Sequence, residues 1–201
     1  MSNLRIVRLI AWIGVVVAGF FTLATGTGWL VTDGPLAPSR EATNRGGSFA
    51  MVDHRGRPFT DADLRGKHAM LFFGFTSCPD VCPTTLAEIG DWLAELESDG
   101  DRIAPVFVSV DPERDDVAQM ASYLSPFDGR IVGLTGTSAQ LAAFADAFGV
   151  YYKKVPTGDT YTMDHTASVL LLDRAVRPVN TIDFHEDQSM ALAKIRHLLT
   201  R

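Results

Sequence analysis

The run HAMLFFGFTSCPDVCPTTLAEIGDWLAELE, residues 68–97, decides the fold. After His68 its opening is continuously apolar to Phe75, the pattern of a strand buried on both faces. From Cys82 onward Leu86, Ile89, Leu93 and Leu96 recur at spacings of three and four with acidic residues between them. That period predicts an amphipathic helix over 82–97. The loop joining the two elements holds both cysteines of the chain, Cys78 and Cys82. Pro83 suits the first helical turn, where a missing N–H costs little.

The same alternation continues outward. Residues 103–110 (IAPVFVSV) repeat the buried-strand pattern, and 115–124 and 137–148 read as helices. Thr137 or Ser138 caps the latter and Gly149 ends it. Residues 131–134, 150–155, 166–172 and 177–183 read as strands, the last two as a hairpin turning at Asp173-Arg174. A helix over 189–199 closes the chain. Upstream, 48–53 enters a turn at His54-Arg55-Gly56-Arg57, and Phe59 begins the return. Strands alternating with helices, then a late hairpin and a helix, predict an α/β sandwich with a central mixed β-sheet flanked by helices.

The 201 residues allow one compact domain plus a tail, and 46% apolar with 21% charged residues excludes a disordered chain. Two cysteines cannot staple a disulfide-scaffolded mini-protein. Net charge is −6, which argues against nucleic acid as a partner, since phosphates demand a basic face. The charge is unevenly spread. Arg5 and Arg8 are the only charged residues before Asp33, so the other 16 basic and all 24 acidic residues follow, a net −8. Between them residues 9–31 (LIAWIGVVVAGFFTLATGTGWLV) form an uncharged run long enough to span a membrane as a helix. With two arginines before the span, the positive-inside rule keeps 1–8 in the cytoplasm and exports the remainder. Trp12 and Trp29 sit near the two ends, as interfacial anchors do. A cleaved signal peptide is the alternative, but the apolar run is too long for one and Leu23-Ala24-Thr25-Gly26 is a poor cleavage site. Residues 32–45, rich in Pro, Gly and small polar residues, read as a tether, and 46–201 as the folded domain.

The chemistry is expected in the cysteine loop. Free amides and the dipole at a helix start favour thiolates. Two such sulfurs can bind a soft metal, exchange electrons as a dithiol, or form a structural bridge. A bridge enclosing three residues would stabilise only weakly. A thioredoxin-type oxidoreductase normally uses C-x-x-C, whereas this chain has C-x-x-x-C. Soft thiolates favour Cu(I) or zinc, and a third ligand would complete a trigonal copper site. Of five histidines, His54, His68, His185 and His197 read as solvated or core-edge residues. His165, in Tyr161-Thr162-Met163-Asp164-His165-Thr166, stands in a loop able to reach the cysteines. Met163 offers a thioether but reads better as core. Asp111-Pro112-Glu113-Arg114 reads as a turn leading into a helix. A peroxiredoxin-type peroxidase would need a Thr three residues before its reactive cysteine, and Phe75 stands there.

The segments GFTSCPDVCPTTL (74–86), SVDPERD (109–115), GLTGT (133–137), FGVYYKKV (148–155) and DHTASVLLLD (164–173) resemble the Sco/SenC family. These are membrane-anchored, thioredoxin-like copper proteins of cytochrome c oxidase assembly. The resemblance covers about residues 46–200. It implies a thioredoxin-like sandwich with a loop insertion before His165, plus one N-terminal transmembrane helix. It implies Cys78, Cys82 and His165 as ligands of copper, Cu(I) with Cu(II) as a second state, and Asp80 and Asp164 as residues that tune the site. It further implies a metallochaperone rather than an enzyme, single-pass in the inner (cytoplasmic) membrane with its domain on the periplasmic side. Its partners would be the copper-site subunit of the oxidase and a thioredoxin-like reductant or another copper carrier. The alternative is a thiol–disulfide oxidoreductase in which Cys78 and Cys82 are redox-active and keep partner cysteines reduced.

Overall fold

The computed structural model describes residues 46–201. β1 (Ala50–Asp53) and β2 (Pro58–Thr60) form a hairpin, followed by the single turn α1 (Asp61–Leu64). β3 (His68–Gly74), α2 (Val81–Glu95) and β4 (Ile103–Ser109) come next, then α3 (Val117–Leu124), β5 (Val132–Thr135) and α4 (Ser138–Phe148). A second hairpin, β6 (Tyr152–Thr157) and β7 (Thr160–His165), precedes β8 (Val169–Leu172), β9 (Pro178–Ile182) and α5 (Gln188–Leu199). Seven strands form one sheet in the order β2-β1-β5-β4-β3-β8-β9. The central three are parallel and their flanks antiparallel, so the sheet is mixed as the sequence predicts.

Every residue of β3 is buried, which its apolar run requires. Successive side chains point to opposite faces. Phe72 meets Phe107 of β4 on one face, ring centroids 5.8 Å apart, and Phe73 meets Phe144 of α4 on the other at 5.5 Å. Phe144 also stacks on Phe49 at 4.0 Å. Burying each such ring contributes about 1.5–3 kcal/mol, so these contacts fix the layers. Thr137 and Gln140 form a capping box at the start of α4, and Gly149, at φ +67°, ends it.

Several boundaries differ from expectation. The first amphipathic helix stops at Glu95, and Glu97–Arg102 tighten into a 3₁₀ turn. A Cβ at Gly100 would lie 2.4 Å from the Leu93 carbonyl oxygen, so only glycine fits there. The helix expected from residue 115 begins at Val117, because Asp116 caps it and Asp115 turns into the core. The strand expected over 166–172 is confined to Val169–Leu172. Residues 160–165, expected as loop, form β7. The predicted membrane span at 9–31 and tether at 32–45 lie outside the described residues. Among the described residues, no helix is long and apolar enough to cross a membrane.

Where β1 ends, a side chain extends its ladder with β5. The His54 amide donates to the Gly133 carbonyl at 2.8 Å, and the Gly133 amide donates to His54 Nδ1 at 3.0 Å. Nδ1 must therefore be unprotonated. Burial, followed by the charge of Arg55, holds the His54 pKa below 6.5, and burial does the same to His68. A histidine depressed in the fold charges more readily when unfolded. Its stability contribution is thus full above about pH 6.5 and is lost as pH falls through the folded value. His54→Asn presents an Oδ1 acceptor that does not titrate. Urea midpoints taken between pH 7.5 and 5 should fall less steeply for this variant than for the parent chain.

Candidate metal centre

The cysteine loop leaves the end of β3 and enters α2. The Cys78 amide donates to the Phe75 carbonyl at 3.2 Å, closing a turn that brings the Cys78 sulfur back over the helix start. Cys82 lies in the first turn of α2, where amides lack helical acceptors. Its N–H donates to Cys78 Sγ at 3.3 Å. Both thiols are free, with Cys78 half-buried and Cys82 fully buried. Sulfur fits beneath the helix because of Gly74. A Cβ there would sit 2.7 Å from Cys82 Sγ and 2.7 Å from Phe107 Cε2.

His165, the last residue of β7, completes the cluster. Its Nε2 lies 3.7 Å from Cys82 Sγ, and its Nδ1 lies 2.9 Å from the Thr166 carbonyl oxygen. A carbonyl can only accept, so Nδ1 carries the proton and the Nε2 lone pair faces the sulfurs. The ring stands edge-on to Phe75 and Phe72, with centroids at 5.8 and 6.3 Å. The ligand atoms of Cys78, Cys82 and His165 all lie within 4.8 Å of one another.

The two thiols titrate as a pair. The hydrogen bond from Cys82 is the largest influence on Cys78. Opposed by burial and aided by the amides of Asp80 and Cys82, it lowers the Cys78 pKa to about 4. Cys82 moves upward, because its bond to Cys78 and its burial both favour the thiol. The two shifts favour the thiolate at the outer sulfur and keep the proton on the inner one. A soft cation entering between them would displace that proton and meet two sulfurs and an imidazole nitrogen.

The other sequence candidates lie elsewhere. Asp80 and Asp164 are exposed and outside the three-donor cluster, and Met163 is buried in the core. His54 serves the β1–β5 ladder, His68 is buried at the opposite end of β3, His185 stacks on Phe184, and His197 contacts Arg201. Asp115 is a residue whose role sequence reasoning missed. Its fully buried carboxylate accepts from the Thr76 amide at 3.0 Å, the Thr76 hydroxyl at 2.7 Å and the Ser109 hydroxyl at 2.6 Å. It ties the root of the cysteine loop to the end of β4. An unbroken acidic pair before a helix was the only local signal, and it resembles an ordinary cap. Asp115→Asn sets an amide N–H₂ against one of these donors and should cost about 2–4 kcal/mol. The check is the denaturant midpoint, expected to fall well below that of an Asp116→Asn control, which keeps a capping oxygen.

A family model described as SCO1/SenC matches residues 37–200. Among curated relatives, "Protein SCO2 homolog, mitochondrial" of Mus musculus is 41% identical over 138 residues, 67% of this chain and 54% of that protein. "Protein SCO2, mitochondrial" of Saccharomyces cerevisiae is 37% identical over 155 residues, 75% of this chain and 52% of that protein. The chain thus spans about half the length of the curated relatives it matches. Among solved structures, Bradyrhizobium japonicum ScoI with copper bound is 45% identical at a TM-score of 0.71, covering 76% of this chain and 98% of that one. Yeast Sco1 with copper bound is 34% identical at 0.71, covering 77% and 88%. The mixed sheet, the cysteine pair at the start of α2 and a match running over most of the sequence agree, and the chain belongs to the SCO1/SenC family.

Proposed function

We propose that this protein is a copper metallochaperone. Cys78, Cys82 and His165 hold the ion and pass it to the dinuclear copper site of cytochrome c oxidase during assembly. The observation that carries this reading is the convergence of two sulfurs and an imidazole nitrogen within 4.8 Å. Soft thiolates select Cu(I), and imidazole suits either copper oxidation state. The copper-bound relatives at 45% and 34% identity support the same metal.

Transfer follows from the asymmetry of the donors. Cys78 is half-exposed and already a thiolate, so an incoming cysteine of the acceptor can reach the copper at its edge. Ligands are then exchanged one at a time, and the ion is never free in water. Residues 9–31 would anchor the domain in the inner membrane, and 32–45 would tether it on the extracytoplasmic side. Tethering donor and acceptor to one surface raises their effective concentration.

A second reading, thiol–disulfide exchange with partner cysteines, is favoured by one observation. A low-pKa half-exposed sulfur beside a buried, protonated one is the arrangement of a nucleophile and a resolving thiol. His165 separates the two. In His165→Ala, Cu(I) affinity measured by chelator competition should fall by more than the roughly 10–100-fold that loss of an outer-shell partner costs. Rates of disulfide reduction should change little. Undiminished copper affinity would refute the ligand assignment.

A further inference from the structure

The hairpin β6–β7 forms its own two-stranded sheet and shares no ladder with the seven-stranded one. Its position, and with it that of His165, is set by other contacts. At its root the pairing of its two strands continues one step further, the Thr166 amide donating to the Tyr151 carbonyl at 3.0 Å and the Tyr151 amide to Thr166 Oγ1 at 3.1 Å. Along its length Met163 is buried in the core and the His165 ring packs on Phe72 and Phe75, while its polar contacts are with the loop 109–115, through Asp111 and Arg114. The Tyr161 hydroxyl donates to Asp111 Oδ1 at 2.9 Å, and Arg114 Nε donates to Asp111 Oδ2. Arg114 Nη1 donates to the Tyr161 carbonyl at 3.1 Å, and its guanidinium lies 3.8 Å from the Tyr161 ring centroid. The Asp111 side chain is 3% exposed, so these charge-assisted bonds are strong. The nearby pair Lys154–Glu113, at 2.6 Å, is solvent-exposed and contributes little.

The same loop also holds the cysteines. The Asp111 amide donates to Ser109 Oγ at 3.0 Å, and Ser109 Oγ donates to the Asp115 carboxylate that fixes Thr76. One continuous chain of hydrogen bonds runs from Thr76 through Asp115, Ser109 and Asp111 to Tyr161. The segment read from sequence as a turn therefore has two ends, one on Thr76 at the root of the cysteine loop and one on Tyr161 of the hairpin that carries His165.

We propose that Asp111, Arg114 and Tyr161 are positioning residues that latch the β6–β7 hairpin to the loop 109–115 and hold His165 in register with Cys78 and Cys82. The inference rests on the reading of these three as ligands. When the latch is closed the site has three donors. When it opens, His165 withdraws with the hairpin and leaves two sulfurs, from which an acceptor can take the ion. The latch thus governs how long the ion is retained, whereas the cysteines determine whether it binds.

Two conservative variants of the full chain test this. Tyr161→Phe keeps the ring and removes the bond to Asp111. Arg114→Lys keeps the charge and removes the fork. In the metal-free protein, amide hydrogen exchange in Tyr152–Thr157 and Thr160–His165 should accelerate about tenfold or more, while β3 and β4 remain unchanged. Release of Cu(I) to a chromophoric chelator should quicken about tenfold in Arg114→Lys, and that gain should vanish when His165→Ala is already present. Unaltered hairpin exchange, acceleration shared equally by β3 and β4, or a release gain that persists without His165 overturns the proposal. Should the unaltered chain hold no copper, the metallochaperone reading fails, and hydrogen exchange alone still decides whether the latch exists.

Discussion

At the last residue of β3 the chain carries only a hydrogen where any other residue would carry carbon, and Cys82 Sγ and the Phe107 ring edge occupy that space. This approach sets the depth of α2 against the sheet. With the helix that low, Cys82 is buried and its amide is free to meet the Cys78 sulfur. Cys78 is then left at the surface as the only accessible thiolate of the pair. The asymmetry of the two sulfurs follows from the missing side chain at residue 74. So does the room beside them for an imidazole, since a sulfur pushed outward would fill the place where His165 Nε2 now lies 3.7 Å away.

The parts of the molecule that were legible in the sequence are those whose cause is local. A continuous apolar run makes β3, a three–four period makes α2, and Thr137 with Gly149 bounds α4. The pairing of His165 with the cysteines was legible through the family resemblance rather than through spacing. The hairpin that carries His165 was not read, although its signals were present. Gly158-Asp159 is a two-residue hairpin turn, and Tyr161, Met163 and His165 alternate with polar neighbours. Six residues with one buried side chain among them are a weak strand signal, and the apolar run after Thr166 drew the strand assignment to itself. Asp115 was illegible for a different reason. Thr76, one of its partners, lies 39 positions away, and nothing near Asp115 marks it as buried.

The two halves of the site are held by different physics. The cysteines sit where a fully buried strand meets a helix start, the kind of core element that is among the last to open. The histidine sits on a strand pair that shares no ladder with the main sheet and meets the rest of the domain through side-chain contacts. The proposed role as a copper carrier would use this inequality. Three ligands of equal rigidity would hold an ion tightly and release it slowly, whereas two fixed sulfurs and one ligand on a less stable unit combine retention with exchange. In the proposed opening the cost falls on the hairpin's contacts, those with Asp111 and Arg114 together with the packing of Met163 and of the His165 ring on Phe72 and Phe75.

The same inequality relates the metal and thiol readings to each other. With His165 seated, the Nε2 lone pair and the Cys78 thiolate face one point, which suits a cation. With His165 withdrawn, what remains is a low-pKa outer sulfur and a buried partner, which suits attack on a disulfide. The two chemistries use one pair of sulfurs and differ in the place of one imidazole. A bound ion occupies the thiolate that exchange would need, so the two functions exclude each other in any one molecule while drawing on the same fold. Position, more than donor identity, distinguishes this site from an ordinary dithiol, and in the inferred latch that position is set from Asp111 and Asp115, two carboxylates four residues apart that act through hydrogen bonds.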